Sequence, residues 1–265
     1  MKFAKKKPFA KKSFGQNFLI DETYINKIIS ALNLQTDETI IEIGAGRGAL
    51  TEKLIESGAK VIAIELERDM IAVLRAEFGQ KENFTLIEQD ALKTDFQQLT
   101  TDNGQRTKSK LVANLPYNIS TAILQKLIEQ REGFSEMILM FQREVAEKIT
   151  AQVGNSERGF LSVLAQNYLE TEKLFDVPPT AFRPIPKILS SVVRLKPKPK
   201  TVKNEKLFRE IIAISFAQKR KTILNNLKHK FADAENILNQ AGIDTKRRAE
   251  TLTLEEWQKL TDFIG

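Results

Sequence analysis

The sequence predicts an α/β fold, a doubly wound and mostly parallel sheet followed by a small all-helical domain. Three observations carry this reading. Short apolar, β-branched runs alternate with helical patterns through the first half of the chain, which implies a parallel sheet covered on both faces. The run Thr39-Ile40-Ile41-Glu42-Ile43 stops at Gly44-Ala45-Gly46-Arg47-Gly48, and a helical pattern starts directly after it. Strand, glycine turn and helix in that order bring backbone amides up to a ligand. Beyond residue 204 the pattern is helical only.

In order along the chain, residues 1–20 form a basic arm that leads into Ser13-Phe14-Gly15-Gln16-Asn17-Phe18-Leu19-Ile20. Asp21 caps a helix whose apolar face is Ile25, Ile28, Ile29 and Leu32. After the glycine turn, Leu50, Leu54 and Ile55 line a helix that Gly58 terminates. Residues 60–65 are the second strand. Met70, Ile71, Leu74 and Phe78 mark the next helix, and residues 84–89 a third strand ending at Asp90. Residues 100–110 are polar and read as a loop. Residues 110–114 form a fourth strand, 119–130 a helix and 134–142 a continuous buried strand. Helices are expected over 144–152 and 159–169, and late strands over 170–177 and 188–195. Between those strands, the prolines of 178–186 impose an extended loop. Residues 196–204, rich in lysine and proline, read as a linker. Helices then follow over 207–217, 221–231, 235–240 and 254–264.

Composition narrows the chemistry. A chain of 265 residues suffices for one large domain, or for one domain plus a small one. It has no cysteine, which excludes disulfides and thiolate metal sites. The single histidine, His229, lies between lysines and reads as a surface residue. No carboxylate cluster has ligand spacing, so no metal is expected. The net charge is +7, and the cations cluster. Lys2, Lys5, Lys6, Lys7, Lys11 and Lys12 precede the first acid; Lys196, Lys198, Lys200 and Lys203 form a second group; Lys219–Lys221 and Lys246–Arg248 form two more. Such clusters favour a polyanion, most simply nucleic acid. The charged N-terminus has no apolar core of a signal peptide, and no apolar run approaches membrane-spanning length. A cytoplasmic location without membrane association is expected.

Ligands of a doubly wound sheet bind at the carboxyl ends of its strands. Gly44, Glu65, Asp90 and Asn114 fall at four successive strand ends. The glycine spacing is G-x-G-x-G, with Ala49 where the dinucleotide fingerprint has its last glycine, which weakens a pyrophosphate reading. The other common user of such a turn is a methyltransferase binding S-adenosylmethionine. Glu65 lies about twenty residues beyond the turn, where a carboxylate accepts from ribose hydroxyls. Asp90 is placed for an adenine amino group. Asn114-Leu115-Pro116-Tyr117 separates the ligands. The lone pair of adenine N6 is delocalised into the ring. Two acceptors beside its hydrogens, the Asn114 side-chain oxygen and a main-chain carbonyl near Pro116, draw the nitrogen toward tetrahedral geometry and free that pair. Tyr117 offers a ring for stacking, worth roughly 1–3 kcal/mol.

With these motifs the chain resembles the ribosomal RNA adenine N6-dimethyltransferases, most closely their small-subunit branch. Phe14-Gly15-Gln16-Asn17-Phe18-Leu19, Glu42–Thr51 and Asn114–Tyr117 resemble the family's N-terminal, glycine and catalytic motifs. Residues 141–146, 182–187, 190–192 and 216–222 resemble its later motifs. The resemblance implies a Rossmann-like class I methyltransferase domain over 1–200 and a helical RNA-binding domain over 201–265. It implies that Gln16, Asn17, Leu19, Gly44, Gly46, Glu65, Asp90, Ala91 and Asn114 hold or border S-adenosylmethionine. It further implies that Asn114, Leu115, Pro116 and Tyr117 with Phe182 form the acceptor site, Tyr117 and Phe182 sandwiching the adenine. The implied product is N6,N6-dimethyladenine at two adjacent adenines near the 3′ end of small-subunit rRNA, made by a monomer acting on a pre-30S particle. The alternatives are a macrolide-resistance-type methylase of large-subunit rRNA, an NAD-dependent oxidoreductase, and a non-catalytic assembly factor.

Overall fold

The computed structural model describes residues 17–102 and 105–265. The basic arm, and with it Gln16, lies outside the described residues. The chain divides into two compact units, one of residues through Ala146 with Glu172–Pro197, the other of Glu147–Thr171 with Lys198–Gly265. A boundary read from sequence at 200/201 thus falls at 197/198, and residues 147–171 join the later helices.

In the first unit, the early elements are β1 (Phe18–Leu19), α1 (Glu22–Leu32), β2 (Thr39–Ile43), α2 (Ala49–Glu56), β3 (Lys60–Glu65), α3 (Arg68–Phe78), β4 (Phe84–Glu88) and α4 (Phe96–Leu99). A short pair, β5 (Thr101–Asp102) and β6 (Gln105–Arg106), interrupts the stretch read as a plain loop. Then come β7 (Ser109–Asn114), α5 (Ser120–Glu129), β8 (Phe134–Gln142), α6 (Arg143–Thr150), which crosses into the second unit, α7 (Phe160–Tyr168) within the second unit, β9 (Leu169–Val177), which returns to the first, and β10 (Phe182–Arg183) and β11 (Ser190–Pro197).

Seven strands form one sheet in the order β4-β3-β2-β7-β8-β11-β9. Strands β4, β3, β2, β7 and β8 run parallel, and β11 joins β8 antiparallel with Ser190 opposite Gln142. The centre is apolar on both faces: Ile40, Ile41, Val61, Leu111 and Val112 are buried, as a sheet covered on both sides requires. Helix α1 begins where Asp21 accepts from Thr23 N at 2.9 Å and lays Ile25, Ile28 and Leu32 into this core. The chain winds outward from β2 through β3 to β4, then returns to β7 on the other side of β2. That reversal opens a crevice at the carboxyl ends of β2 and β7.

A short ribbon walls the crevice. β1 pairs antiparallel with β10, Phe18 opposite Arg183 and Leu19 opposite Phe182, and Ile20 N donates to Ala181 O at 2.9 Å.

The second unit is helical at its C-terminal end: α8 (Glu205–Ser215), α9 (Ile223–Leu227), α10 (Ala234–Ala241) and α11 (Leu254–Ile264). Its core holds Trp257 against Phe216, with centroids 5.8 Å apart, and Tyr168 edge-on to Phe208 at 6.0 Å. Thr253 and Glu256 cap α11 reciprocally, and Arg247 grips the same Glu256 with both terminal nitrogens at 2.5 and 3.0 Å. No helix among the described residues is long and apolar enough to cross a membrane.

Candidate active site

A cavity of about 480 Å³ occupies the crevice. That is the size of a site for one nucleoside-scale ligand. Its lining brings together residues that the sequence places far apart: Asn17 and Leu19, the glycine turn, Glu65, Asp90 with Ala91, and Asn114 through Tyr117.

Two glycines of the turn have different physical reasons. Gly48 has φ +81°, and a Cβ there would lie 2.4 Å from the Phe78 ring, so packing requires it. Gly44 has φ +72°, yet a Cβ on it would meet no protein atom within 4 Å. It lines the cavity, and the space above it is open to a ligand. The turn is braced from below by Glu65. Its Oε2 accepts from Gly46 N at 2.8 Å, and its Oε1 accepts from Leu66 N and Glu67 N at 2.8 and 2.9 Å. Sequence reasoning gave this carboxylate only to a ribose diol. Here it also ties the glycine turn to the start of α3, and with two lone pairs per oxygen it keeps acceptor capacity toward the cavity. Asp90 holds its own turn through Leu92 N at 2.9 Å, two residues beyond the end of β4.

Asn114 ends β7. Its Nδ2 donates to the main-chain oxygen of Asn17 at 3.0 Å. The amide is planar, so this bond commits the donor edge to the β1 wall and leaves Oδ1 as the acceptor. Oδ1 has no hydrogen-bond partner among the described residues. Leu115 is buried and anchors the turn, and Pro116 O accepts from Ile119 N at 3.2 Å. Tyr117 lines the cavity, and its hydroxyl shares a 2.8 Å hydrogen bond with Ser190 Oγ. Burial pushes the phenol pKa up, the Ser190 bond opposing it, so the ring stays neutral.

Phe182 is not where the sequence reading puts it. Its side chain is fully buried in the core with Leu19, Ile25 and Ala181, and it is not part of the cavity lining. Pairing of β10 with β1 turns it inward, so in this conformation it supports the wall rather than facing a base.

Two features escaped the sequence reading. Arg47 stacks on Phe18, its guanidinium carbon 4.2 Å from the ring centroid, above the glycine turn. Glu42, only 2 % exposed, lines the cavity from the centre of the sheet. Burial pushes its pKa up to about 7, against a 2.6 Å bond from Thr51 Oγ1 and with help from the charge of Glu65. The signal was present, because a carboxylate inside Ile40-Ile41-Glu42-Ile43 breaks a run that is otherwise apolar. No group of histidines, cysteines or carboxylates among the described residues could hold a metal.

The basic groups are not equivalent. Arg247 is engaged by Glu256, and Lys200 lies 3.6 Å from Glu205. Lys219, Arg220, Lys221, Lys246 and Arg248 are exposed.

Comparison with known proteins places these features. The family model described as ribosomal RNA adenine dimethylase matches residues 9–265. The chain is 44% identical over 260 residues to a ribosomal RNA small subunit methyltransferase A of Clostridium botulinum, covering 96% of this chain and 93% of that protein. It is 40% identical over 258 residues to the protein of the same name from Hahella chejuensis, with the same coverage of both chains. Among solved structures it is similar to a dimethyladenosine transferase from Plasmodium falciparum, with TM-score 0.77 and 29% identity over 92% of this chain and 95% of that one. The fold is shared with the 23S rRNA methyltransferase ErmE, with TM-score 0.71 and 23% identity over 93% of this chain and 99% of that one.

Proposed function

The chain belongs to the ribosomal RNA adenine dimethylase family, and from that premise we propose that it dimethylates N6 of two adjacent adenines near the 3′ end of small-subunit rRNA, using S-adenosylmethionine. The observation that carries the proposal is the bond from Asn114 Nδ2 to Asn17 O, which leaves a fixed, unshared acceptor in the cavity.

The cavity fits the donor by its chemistry. Glu65 and Asp90 supply acceptors for a ribose diol and an adenine amine, on adjacent parallel strand ends. Gly44 lets the middle of the ligand pass close to the backbone. Asn17, Leu19 and Gly46 border the same space, and Ala91 closes it beside Asp90. S-adenosylmethionine, when bound, supplies an electrophilic methyl group on a sulfonium.

The chain's own task is to orient the acceptor. Asn114 Oδ1 accepts one N6 hydrogen. A main-chain carbonyl beside Pro116 is the second acceptor. Both stabilise positive charge as it develops on N6. The Tyr117 face stacks the base and holds it in line. No side chain has to act as a strong base, because the methylated amine sheds its proton readily to water. Extrusion costs least from a loop, which suits a hairpin-loop target. The exposed lysines and arginines of the helical unit, with the basic arm, supply the RNA surface, and the protein acts in the cytoplasm as a monomer on a pre-30S particle.

The test is incubation with tritiated S-adenosylmethionine and undermethylated small subunits, followed by mapping of the modified nucleotide. Dimethyladenine in small-subunit rRNA is expected. No label in small-subunit rRNA, or label at a base other than adenine, overturns the proposal.

A further inference from the structure

Tyr117 is three residues past the end of β7, in a loop, yet its hydroxyl is tied to Ser190, the first residue of β11. In the strand order β7-β8-β11 the bond therefore passes over the carboxyl end of β8. Ser190 is fully buried, and the Tyr117 phenol is its only side-chain partner among the described residues. The next residue, Ser191, points to the opposite face of the sheet. Its Oγ donates to Asp176 Oδ1 at 2.6 Å, and Lys173 Nζ lies 2.8 Å from that same carboxylate oxygen. The start of β11 is thus fixed to β9 on one face while it presents Ser190 on the other. A tyrosine ring bonded at its far end is restrained from sweeping about χ1, because that motion would carry its hydroxyl away from Ser190. The ring is in position before any base arrives, which removes part of the ordering cost from binding.

We propose that Ser190 is a positioning residue for methyl transfer, holding the Tyr117 ring at the place where the target adenine stacks. This rests on reading the cavity as the adenine-methylation site. The Tyr117 hydroxyl then serves as a tether and carries no proton in the reaction.

A double-mutant cycle on the full chain tests this, with undermethylated small subunits as acceptor. Ser190→Ala and Tyr117→Phe each remove one end of the bond, and the phenylalanine keeps the stacking face. Each single variant should lose about 3–10-fold in kcat/KM, the size of one net hydrogen bond, and the double variant should lose no more than either alone. Affinity for S-adenosylmethionine, measured by calorimetry, should not change. Quenching of 2-aminopurine placed at the target position, which reports stacking, should weaken in both single variants, and Ser190→Thr should restore it by keeping a hydroxyl.

Additive losses, or full quenching in Tyr117→Phe, overturn the assignment. Tyr117 is only half-buried, so that variant reads the bond even where Ser190→Ala fails to fold. Absence of methyl transfer by the unsubstituted protein defeats the underlying function instead. Transfer that is indifferent to both substitutions defeats only the role of Ser190.

Discussion

Replacing Glu42 with glutamine should flatten the pH dependence of stability in one defined window. The carboxyl is 2 % exposed and has the Thr51 hydroxyl as its hydrogen-bond partner. Burial lifts its pKa from an ordinary 4.5 to about 7, partly offset by Thr51 and reinforced by Glu65. Below pH 4.5 the group is protonated in the folded and unfolded chains alike and has no net effect. Between 4.5 and about 7 the unfolded chain releases the proton while the folded chain keeps it. Stability therefore falls as pH rises, by roughly 1.4 kcal/mol per pH unit. Across that interval the loss reaches about 3 kcal/mol, and above it the loss is constant. Glutamine cannot ionise, and it keeps an oxygen for Thr51. The variant should match the wild type near pH 4.5 and exceed it by up to about 3 kcal/mol at pH 8. Urea melts followed by far-ultraviolet circular dichroism at several pH values measure the difference. Tryptophan fluorescence is unsuitable, because the single tryptophan, Trp257, is in the other unit. Parallel stability profiles for the two proteins would refute the reasoning, since they would mean that Glu42 ionises as freely as an exposed carboxylate.

Three further outcomes follow from the site. Asn114→Ala should lower kcat about 10²–10³-fold, the usual cost of one oriented transition-state partner, while the fold survives the loss of about 1 kcal/mol from the bond to Asn17; single-turnover methylation and a thermal melt check it. Gly44→Ala should cost only about 1–2 kcal/mol of stability, from φ strain, but abolish donor binding by calorimetry, because its methyl enters the open space rather than the core. Replacing Lys219, Arg220 and Lys221 together by alanine should weaken RNA binding irrespective of sequence and make the salt dependence shallower by up to about 3 in log–log slope; filter binding across a salt series reads this directly.

The fold was legible where one local signal sufficed. β3 at Lys60–Glu65, β8 at Phe134–Gln142 and α11 at Leu254–Ile264 have the bounds that their apolar patterns predict. Boundaries moved where capping chemistry outcompeted pattern. α9 starts at Ile223 rather than 221 because Thr222 accepts from Asn225 N and caps it there. The two-residue strands β1 and β10 have no pattern of their own. They exist only because each is the other's partner, and no window of sequence contains both.

The same distinction separates the parts of the site. Gly44, Glu65, Asp90 and Asn114 were visible because the parallel alternation itself carries strand ends to one edge. What each does there was not visible, because it depends on groups brought from elsewhere in the chain. Asn114 becomes a directed acceptor only when the main-chain oxygen of Asn17, 97 residues earlier, accepts from its amide nitrogen. Tyr117 becomes a fixed face only when Ser190, 73 residues later, takes its hydroxyl. Phe182 shows the consequence in reverse. Read as a base-stacking aromatic in a proline-rich loop, it lies opposite Leu19 across the β1–β10 pair and packs under the ribbon that begins one residue after Asn17. Its ring thus supports the wall to which Asn114 is bonded. A residue type and a loop setting identify a candidate for the site, but the strand paired across from it decides whether that candidate faces the ligand or holds up what does.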